Sequence, residues 1–315
     1  MNSEVTENCL KLHAELTRYV VGKDDVLRKL LLGILGNSHI LIEDYPGLAK
    51  TLIAKTLAAA SGCRFSRIQF TSDLLPGDIT GTYIFNQKSG DFELRRGPIF
   101  TNVLLADEIN RSPPKTQSAL LEAMQEYQVT LDGKTQQIDK PFMVIATQNP
   151  IEFEGVYQLP EAQLDRFIMK LHLGYPDQPQ EVQILRNRMA RKSEEFDVNP
   201  VITPQQLLEM QNTVEDVFVE DSILSYITDI VRETRSHPQI EVGSSPRGSL
   251  ALLRLARANA VFYGRDYVIP DDVKSLIIEA LSHRIIPKTA SWVRGFDPKL
   301  ILEEITGRIP VPKID

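Results

Sequence analysis

From Asp24 to Leu35 the apolar positions Val26, Leu27, Leu30, Leu31, Ile34 and Leu35 recur every three or four residues, and Gly36 follows. That spacing predicts one amphipathic helix with a glycine stop. HILI (39–42) is a short unbroken apolar run, the pattern of a strand covered on both faces. A turn-like stretch, Glu43 to Leu48, leads into a helix beginning near Lys50. FSRIQF (65–70), VLLA (103–106), FMVIAT (142–147) and MKLHL (169–173) read as further strands, and SALLEAM (118–124) as a helix. Strands alternating with helices predict a parallel sheet covered on both faces.

Two excursions interrupt the alternation. TYIF and DFEL flank NQKSG, a hairpin signal with Gly90 in the turn, inside an insertion over 70–100. VTL (129–131), Asp132-Gly133 and KTQQI (134–138) form a second hairpin signal. After GYPDQPQ (174–180) the pattern turns helical: EVQILRNRM, SILSYITDIVRET, PRGSLALLRLARANAVFY and DDVKSLIIEAL all show helical spacing. The expected division is an α/β domain over 1–175, a linker over 176–180 and an all-α domain over 181–315.

Composition narrows the class. With 315 residues, 42% hydrophobic and 24% charged, the chain is an ordinary globular sequence of about two domains. It carries 35 basic and 42 acidic residues, net −7, which argues against nucleic acid as the main partner. Two distant cysteines, Cys9 and Cys63, make neither a disulfide framework nor a zinc set. The opening MNSEVTEN lacks the charge and apolar run of a signal peptide, and no stretch reaches the 18 apolar residues of a membrane span. A cytoplasmic location is the expectation.

Three strand ends carry candidate chemistry. DYPGLAKT (44–51) sits between a strand and a helix, where a phosphate-binding loop belongs. Lys50 and Thr51 match the G-x-x-x-x-G-K-[ST] pattern; Asp44 and Ala49 replace its two glycines. VLLADE (103–108) ends in two acids: Asp107 to hold Mg²⁺ through its water shell, and Glu108 to orient or deprotonate an attacking water. FMVIATQNP (142–150) ends in Gln148-Asn149 at the carboxyl edge of the sheet, where ligands of open α/β folds bind.

HILIEDYPGLAKT, LLADEINRSPPKTQSALLEAMQE, VIATQNPIEFEGVYQLPEAQLDRF and GSSPRGSLALLRLARANA resemble, in order and spacing, the MoxR group of AAA+ ATPases in the helix-2-insert clade. The resemblance runs from Val20-Val21-Gly22-Lys23 to the C-terminal helices. It implies a P-loop AAA+ core followed by a smaller helical lid, ATP and ADP binding with Mg²⁺, and ATP hydrolysis. Carried onto this chain, it implies a Walker A loop at Pro46, Gly47, Leu48, Ala49, Lys50, Thr51 and Leu52, with Val21 and Gly22 also at the nucleotide. It further implies metal ligation by Thr51 and Asp107, catalysis by Glu108, a sensor at Asn149, an arginine finger acting in trans at Arg166, and a second sensor at Arg247 reaching across to the phosphates. The insertion over 70–100 and the hairpin over 127–139 resemble the insert and pre-sensor hairpin of that clade.

Other implied properties are a homo-oligomer, usually a hexameric ring, and chaperone-like work on a protein client, often one with a von Willebrand factor A domain. Arg95, Arg96 and Arg111 are rival trans-acting arginines, and Arg166 has a plainer alternative, an ion pair with Asp165 or Glu161. The non-glycine positions Asp44, a carboxylate near the phosphates, and Ala49 motivate a rival reading as a nucleotide-binding scaffold with little or no hydrolysis. A nucleic-acid motor is disfavoured because residues 127–139 carry Lys134 against Asp132 and Asp139 and no arginine. The five histidines lack metal spacing, and Asp271-Asp272 after Pro270 reads as a helix start. Tyr83, Phe85 and Phe92 form either a gripping loop or the insert's own small core.

Overall fold

The computed structural model describes residues 3–150, 156–193, 196–289 and 295–313; residues 151–155, inside the segment that ends in LDRF, lie outside them. Two helices open the chain, α1 (Ser3–Tyr19) and α2 (Asp24–Leu35). The sheet is then built from β1 (His39–Glu43), β2 (Phe65–Gln69), β5 (Val103–Asp107), β8 (Met143–Gln148) and β9 (Phe167–Leu171) in the order β2-β5-β8-β1-β9. All its pairings are parallel. Helices α3 (Lys50–Ala60), α5 (Pro114–Glu126) and the short α4 (Pro76–Thr80) and α6 (Glu161–Leu164) connect them.

Alternation along the strands sorts the core into two clusters. Ile40, Ile42, Val103, Leu105, Met143 and Ile145 face one side with α1, α2 and α3; Leu41, Leu104, Ala106, Val144 and Ala146 face the other with Leu120, Leu121 and Met124 of α5. A strand's side chains point alternately to opposite faces, so unbroken apolar runs are what a sheet covered twice requires. Both predicted hairpins form: β3 (Gly81–Asn86) with β4 (Asp91–Arg96), and β6 (Gln128–Leu131) with β7 (Lys134–Gln137).

The C-terminal part contains α7 (Gln178–Arg191), α8 (Pro204–Glu215), α9 (Asp221–Ser236), α10 (Pro246–Phe262), α11 (Pro270–Lys274), α12 (Ile277–Leu281) and α13 (Pro298–Arg308), with a two-stranded ladder of β10 (Ile240–Val242) and β11 (Ile286–Pro287). DDVKSLIIEAL is thus not one helix but two, broken at Ser275-Leu276. Val273, Leu276, Ile277, Ala280 and Leu281 are all buried across the break, so apolar spacing alone does not register it. Helices α1, α8 and α13 are additions to the sequence reading. Asp272 behaves as the helix-start acid expected: it accepts the Ile269 amide at 2.9 Å and pairs with Arg265 at 2.6 Å. Leu252, Leu255 and Ala256 of α10 share one apolar cluster with Leu27, Leu30 and Leu31 of α2, so the helical part is packed onto the sheet layer.

Candidate active site

The loop between β1 and α3 is set by backbone rather than by side-chain caps. Gly47 has φ +82° with open space around it, and Ala49 adopts a left-handed φ of +59° as the N-cap of α3. That N-terminus makes no side-chain cap hydrogen bond, which leaves its amides directed at a ligand, as anion sites require. Asp44 does not face the phosphate side. Its buried carboxylate accepts the amides of Leu173 (2.5 Å), Gly174 (2.7 Å) and Tyr45 (2.9 Å), tying the loop to the chain that leaves β9.

Around this loop lie two adjoining cavities. The smaller, of about 310 Å³, is lined by Pro46, Lys50, Thr51, Asp107, Glu108 and Asn149 among others. The larger, of about 850 Å³, is walled by Val20, Val21, Leu52, Ile184, Leu185 and Phe196. Gly47, Leu48, Ala49 and Leu52 border both. Gly22 does not line either; it forms the neighbouring turn at φ +72°, under the side chain of Gln180. The smaller cavity carries Lys50 with the acids Asp107 and Glu108; the larger combines apolar walls with the basic side chains of Arg18, Lys23, Arg188 and Arg191.

The acids are held in place. Lys50 donates to the Asp44 carbonyl at 2.5 Å; burial pushes its ammonium pKa down, opposed by the charges of Asp107, Asp44 and Glu108. Asp107 accepts from Arg67 at 2.7 Å and from the Thr147 hydroxyl at 2.7 Å, and that hydroxyl in turn accepts the Glu108 amide at 2.8 Å. Glu108 sits at φ +56°, an uncommon backbone for a non-glycine residue and one that clusters at functional sites. Its carboxylate receives Gln69 at 2.7 Å and Arg111 at 3.0 Å. Sequence reading missed Arg67, Gln69 and Thr147. A signal existed for Gln69, a polar residue near the carboxyl end of the predicted strand 65–70; pairing of β2 with β5 sets it opposite Asp107.

Arg166 and Arg247 lie elsewhere. They line a separate cavity of about 310 Å³ together with His39, Asp165, Arg254 and Arg284. His39 begins β1 and Arg166 immediately precedes β9, so this cavity sits at the amino edge of a parallel sheet whose carboxyl edge carries Lys50 and Asp107. The five residues of β1 alone separate the edges by roughly 16 Å at ~3.3 Å per residue. Arg247, expected to reach across to the phosphates, thus lies with the start of α10 at the sheet edge opposite Lys50 and Asp107. Arg166 makes no ion pair with Asp165 or Glu161 among the described residues, and its Nε is buried without a hydrogen-bond partner. Asp165 is instead engaged by Arg284 at 2.7 Å, by Ser245 at 3.0 Å and, at 4.0 Å, by Arg247.

The residues fit Mg²⁺ with a nucleotide: one hydroxyl and hard carboxylate oxygens beside a lysine and free helix amides are a donor set for that ion and for phosphate. No helix among the described residues is long and apolar enough to cross a membrane.

Comparison with known proteins agrees with this geometry. The ATPase family associated with various cellular activities (AAA) matches residues 39–169, and an AAA lid domain family matches residues 232–304. The Bacillus subtilis protein YeaC, itself uncharacterised, is 48% identical over 94% of this chain and 92% of its own length. The Mycobacterium tuberculosis protein named Chaperone MoxR1 is 41% identical, over 96% of this chain and 81% of its own. A solved structure from Cytophaga hutchinsonii, of a protein assigned as an ATPase, superposes with a TM-score of 0.92 at 42% identity, covering 98% of this chain and 96% of that one. A parallel sheet with a loop, two acids and an asparagine at its carboxyl edge, a helical lid packed behind it, and relatives matched over most of their length together place the chain in the MoxR family of AAA+ ATPases.

Proposed function

We propose that this chain hydrolyses ATP to ADP and phosphate in a ring of identical subunits, and uses that cycle to remodel a protein client. In this reading residues 1–175 hold the nucleotide and the helices from 181 form the lid. The adenine occupies the cavity walled by Val21, Leu52, Ile184 and Phe196, whose ring is covered by the Arg191 guanidinium at 3.8 Å. The amides at the start of α3 and Lys50 take the β- and γ-phosphates. The Thr51 hydroxyl and Asp107 would hold Mg²⁺, which would supply charge neutralisation at the phosphoryl oxygens.

Glu108 and Asn149 orient a water in line with the γ-phosphorus. Its oxygen bonds to phosphorus, the bond to the β,γ-bridging oxygen breaks, and the proton passes to Glu108. The single observation that carries the reading is the separation of the charges: Arg166 and Arg247 sit at the sheet edge opposite the phosphate cavity. A head-to-tail contact that closes into a ring presents that edge to the next subunit's site. Both arginines then serve the neighbour's transition state.

The Asp44 argument for a scaffold weakens, since its carboxylate is engaged by backbone amides. A protein client, of which a von Willebrand factor A domain protein is one kind, fits the chaperone designation of the Mycobacterium tuberculosis relative and the acidic balance of the chain. The test is phosphate release with mass photometry. Wild type assembles with an ATP analogue and Mg²⁺ and turns over ATP; Lys50→Ala and Glu108→Gln do not turn over; Arg166→Ala loses about 10³-fold or more in rate. Full activity in Arg166→Ala, or a monomer under all conditions, refutes the ring reading.

A further inference from the structure

Arg284 belongs to the lid, in the one-turn 3₁₀ segment Ser282–Arg284 that follows α12. Its side chain is only 3% exposed. The guanidinium fork is fully used. Nε donates to the Asp165 carboxylate at 2.7 Å, Nη2 to the carbonyls of Asp165 (3.2 Å) and Phe167 (2.6 Å), and Nη1 to the carbonyls of Ile168 (3.0 Å) and Ala280. Four of these five bonds grip the backbone or side chain on either side of Arg166.

The other Asp165 oxygen completes the arrangement. It accepts the Ser245 hydroxyl at 3.0 Å, and Ser245 caps α10 by accepting the Arg247 amide at 3.1 Å. Arg247 itself lies 4.0 Å from the same oxygen. One carboxylate thus ties the residue before Arg166 to the residue that starts the Arg247 helix, and one buried guanidinium fixes both. Arg166 has no partner for its own Nε, so its presentation rests on the backbone that Arg284 clamps.

We propose that Arg284 is a positioning residue for catalysis in the neighbouring subunit: it sets Arg166 and Arg247 as one rigid pair aimed at the next nucleotide. This rests on the reading that these two arginines act in trans. An ammonium group is a point donor of three bonds and cannot reproduce a planar fork of five, so even lysine fails here.

The test uses full-length chains and Mg-ATP. Arg284→Lys and, from the other side of the contact, Asp165→Asn each lower kcat at least tenfold with KM for ATP within about twofold, because the subunit's own nucleotide site is untouched. Each is then mixed one to one with Glu108→Gln, which is inactive at its own site but has intact Arg166, Arg247 and Arg284. Random assembly gives about a quarter of interfaces with a working acceptor and a working donor, and activity returns accordingly. The control mixture is Arg166→Ala with Glu108→Gln. If the control recovers and both Arg284→Lys and Asp165→Asn mixtures stay dead, the positioning role is wrong. If the control itself fails, the trans reading is wrong and takes this proposal with it. Wild-type kcat in Arg284→Lys also overturns it.

Discussion

Asp44 shows how little a single side chain means before its surroundings are known. Against the Walker pattern it is a departure that sets a negative charge beside phosphates. In the folded chain it is an acceptor for three amides, two of them 129 and 130 residues away. Leaving a buried donor without its acceptor costs about 1–3 kcal/mol. Asp44→Gly, which restores the usual residue, is therefore expected to lower the melting temperature by several degrees without raising turnover. Melting curves with phosphate release check this; faster hydrolysis at unchanged stability would reverse the assignment. Lys50, Thr51, Asp107, Glu108 and Asn149 were readable from residue type and spacing. Arg67 and Thr147 were not, because they meet Asp107 only through the pairing of β2 and β8 on either side of β5.

At the scale of elements, strands and hairpins were legible because their signals are local. Apolar runs gave all five strands of the sheet to within two residues at either end, and Gly90 and Asp132-Gly133 marked both hairpin turns. The helices α1, α8 and α13 and the break between α11 and α12 were not; Val5, Cys9, Leu12 and Leu16 do form an apolar stripe on α1, but its partner is the distant α10 as well as α2 and α3. In the insert hairpin the three aromatics differ in their surroundings. Phe85 and Phe92 pack edge to face at 5.3 Å, yet remain 55% and 67% exposed, while Tyr83 is held by Gln136 at 3.3 Å and lies under Lys134.

A pair of aromatics kept at the tip of an insert and covered by nothing contributes little to folding, since exposed substitutions change stability by about 0.5 kcal/mol or less. Phe85→Ser combined with Phe92→Ser is accordingly expected to leave the melting temperature and basal ATPase nearly unchanged and, on the proposed client role, to abolish stimulation by a client. Loss of basal ATPase in that variant would make the hairpin part of the nucleotide machinery instead.

The whole molecule is one packed body in which helical lid and sheet layer share a core, and buried histidines bind its layers together. His39 accepts the Val144 amide on Nδ1 at 3.0 Å and so donates from Nε2 to the Met124 carbonyl at 2.8 Å, fixing the neutral tautomer. Burial pushes its pKa down to about 4, and His283, which contacts the Phe167 carbonyl across the lid interface, is also pushed well below the usual value, by burial and by Arg284. The unfolded chain takes up these protons below about pH 6.5 while the folded chain refuses them until about pH 4 at His39. Stability is thus fully present above pH 6.5 and falls as pH drops through that window, by up to about 3 kcal/mol from His39. Urea unfolding at pH 7.5, 6, 5 and 4 is expected to show this slope, and His39→Asn to flatten it; an equal slope in both would remove the assignment.

By itself the sequence determined what short-range physics controls. Hydrophobic period chose strands and helices, turn chemistry chose hairpins, and a lysine-threonine pair after one strand with two acids after another identified phosphate chemistry. Tertiary structure alone decided which groups share a site. It turned Asp44 away from the phosphates, set Arg67 on Asp107, and gathered Arg166, Arg247 and Arg284 around Asp165 at the opposite sheet edge. Those contacts join residues tens to hundreds of positions apart, and their geometry is fixed by how the lid packs on the sheet, which no local pattern along the chain encodes.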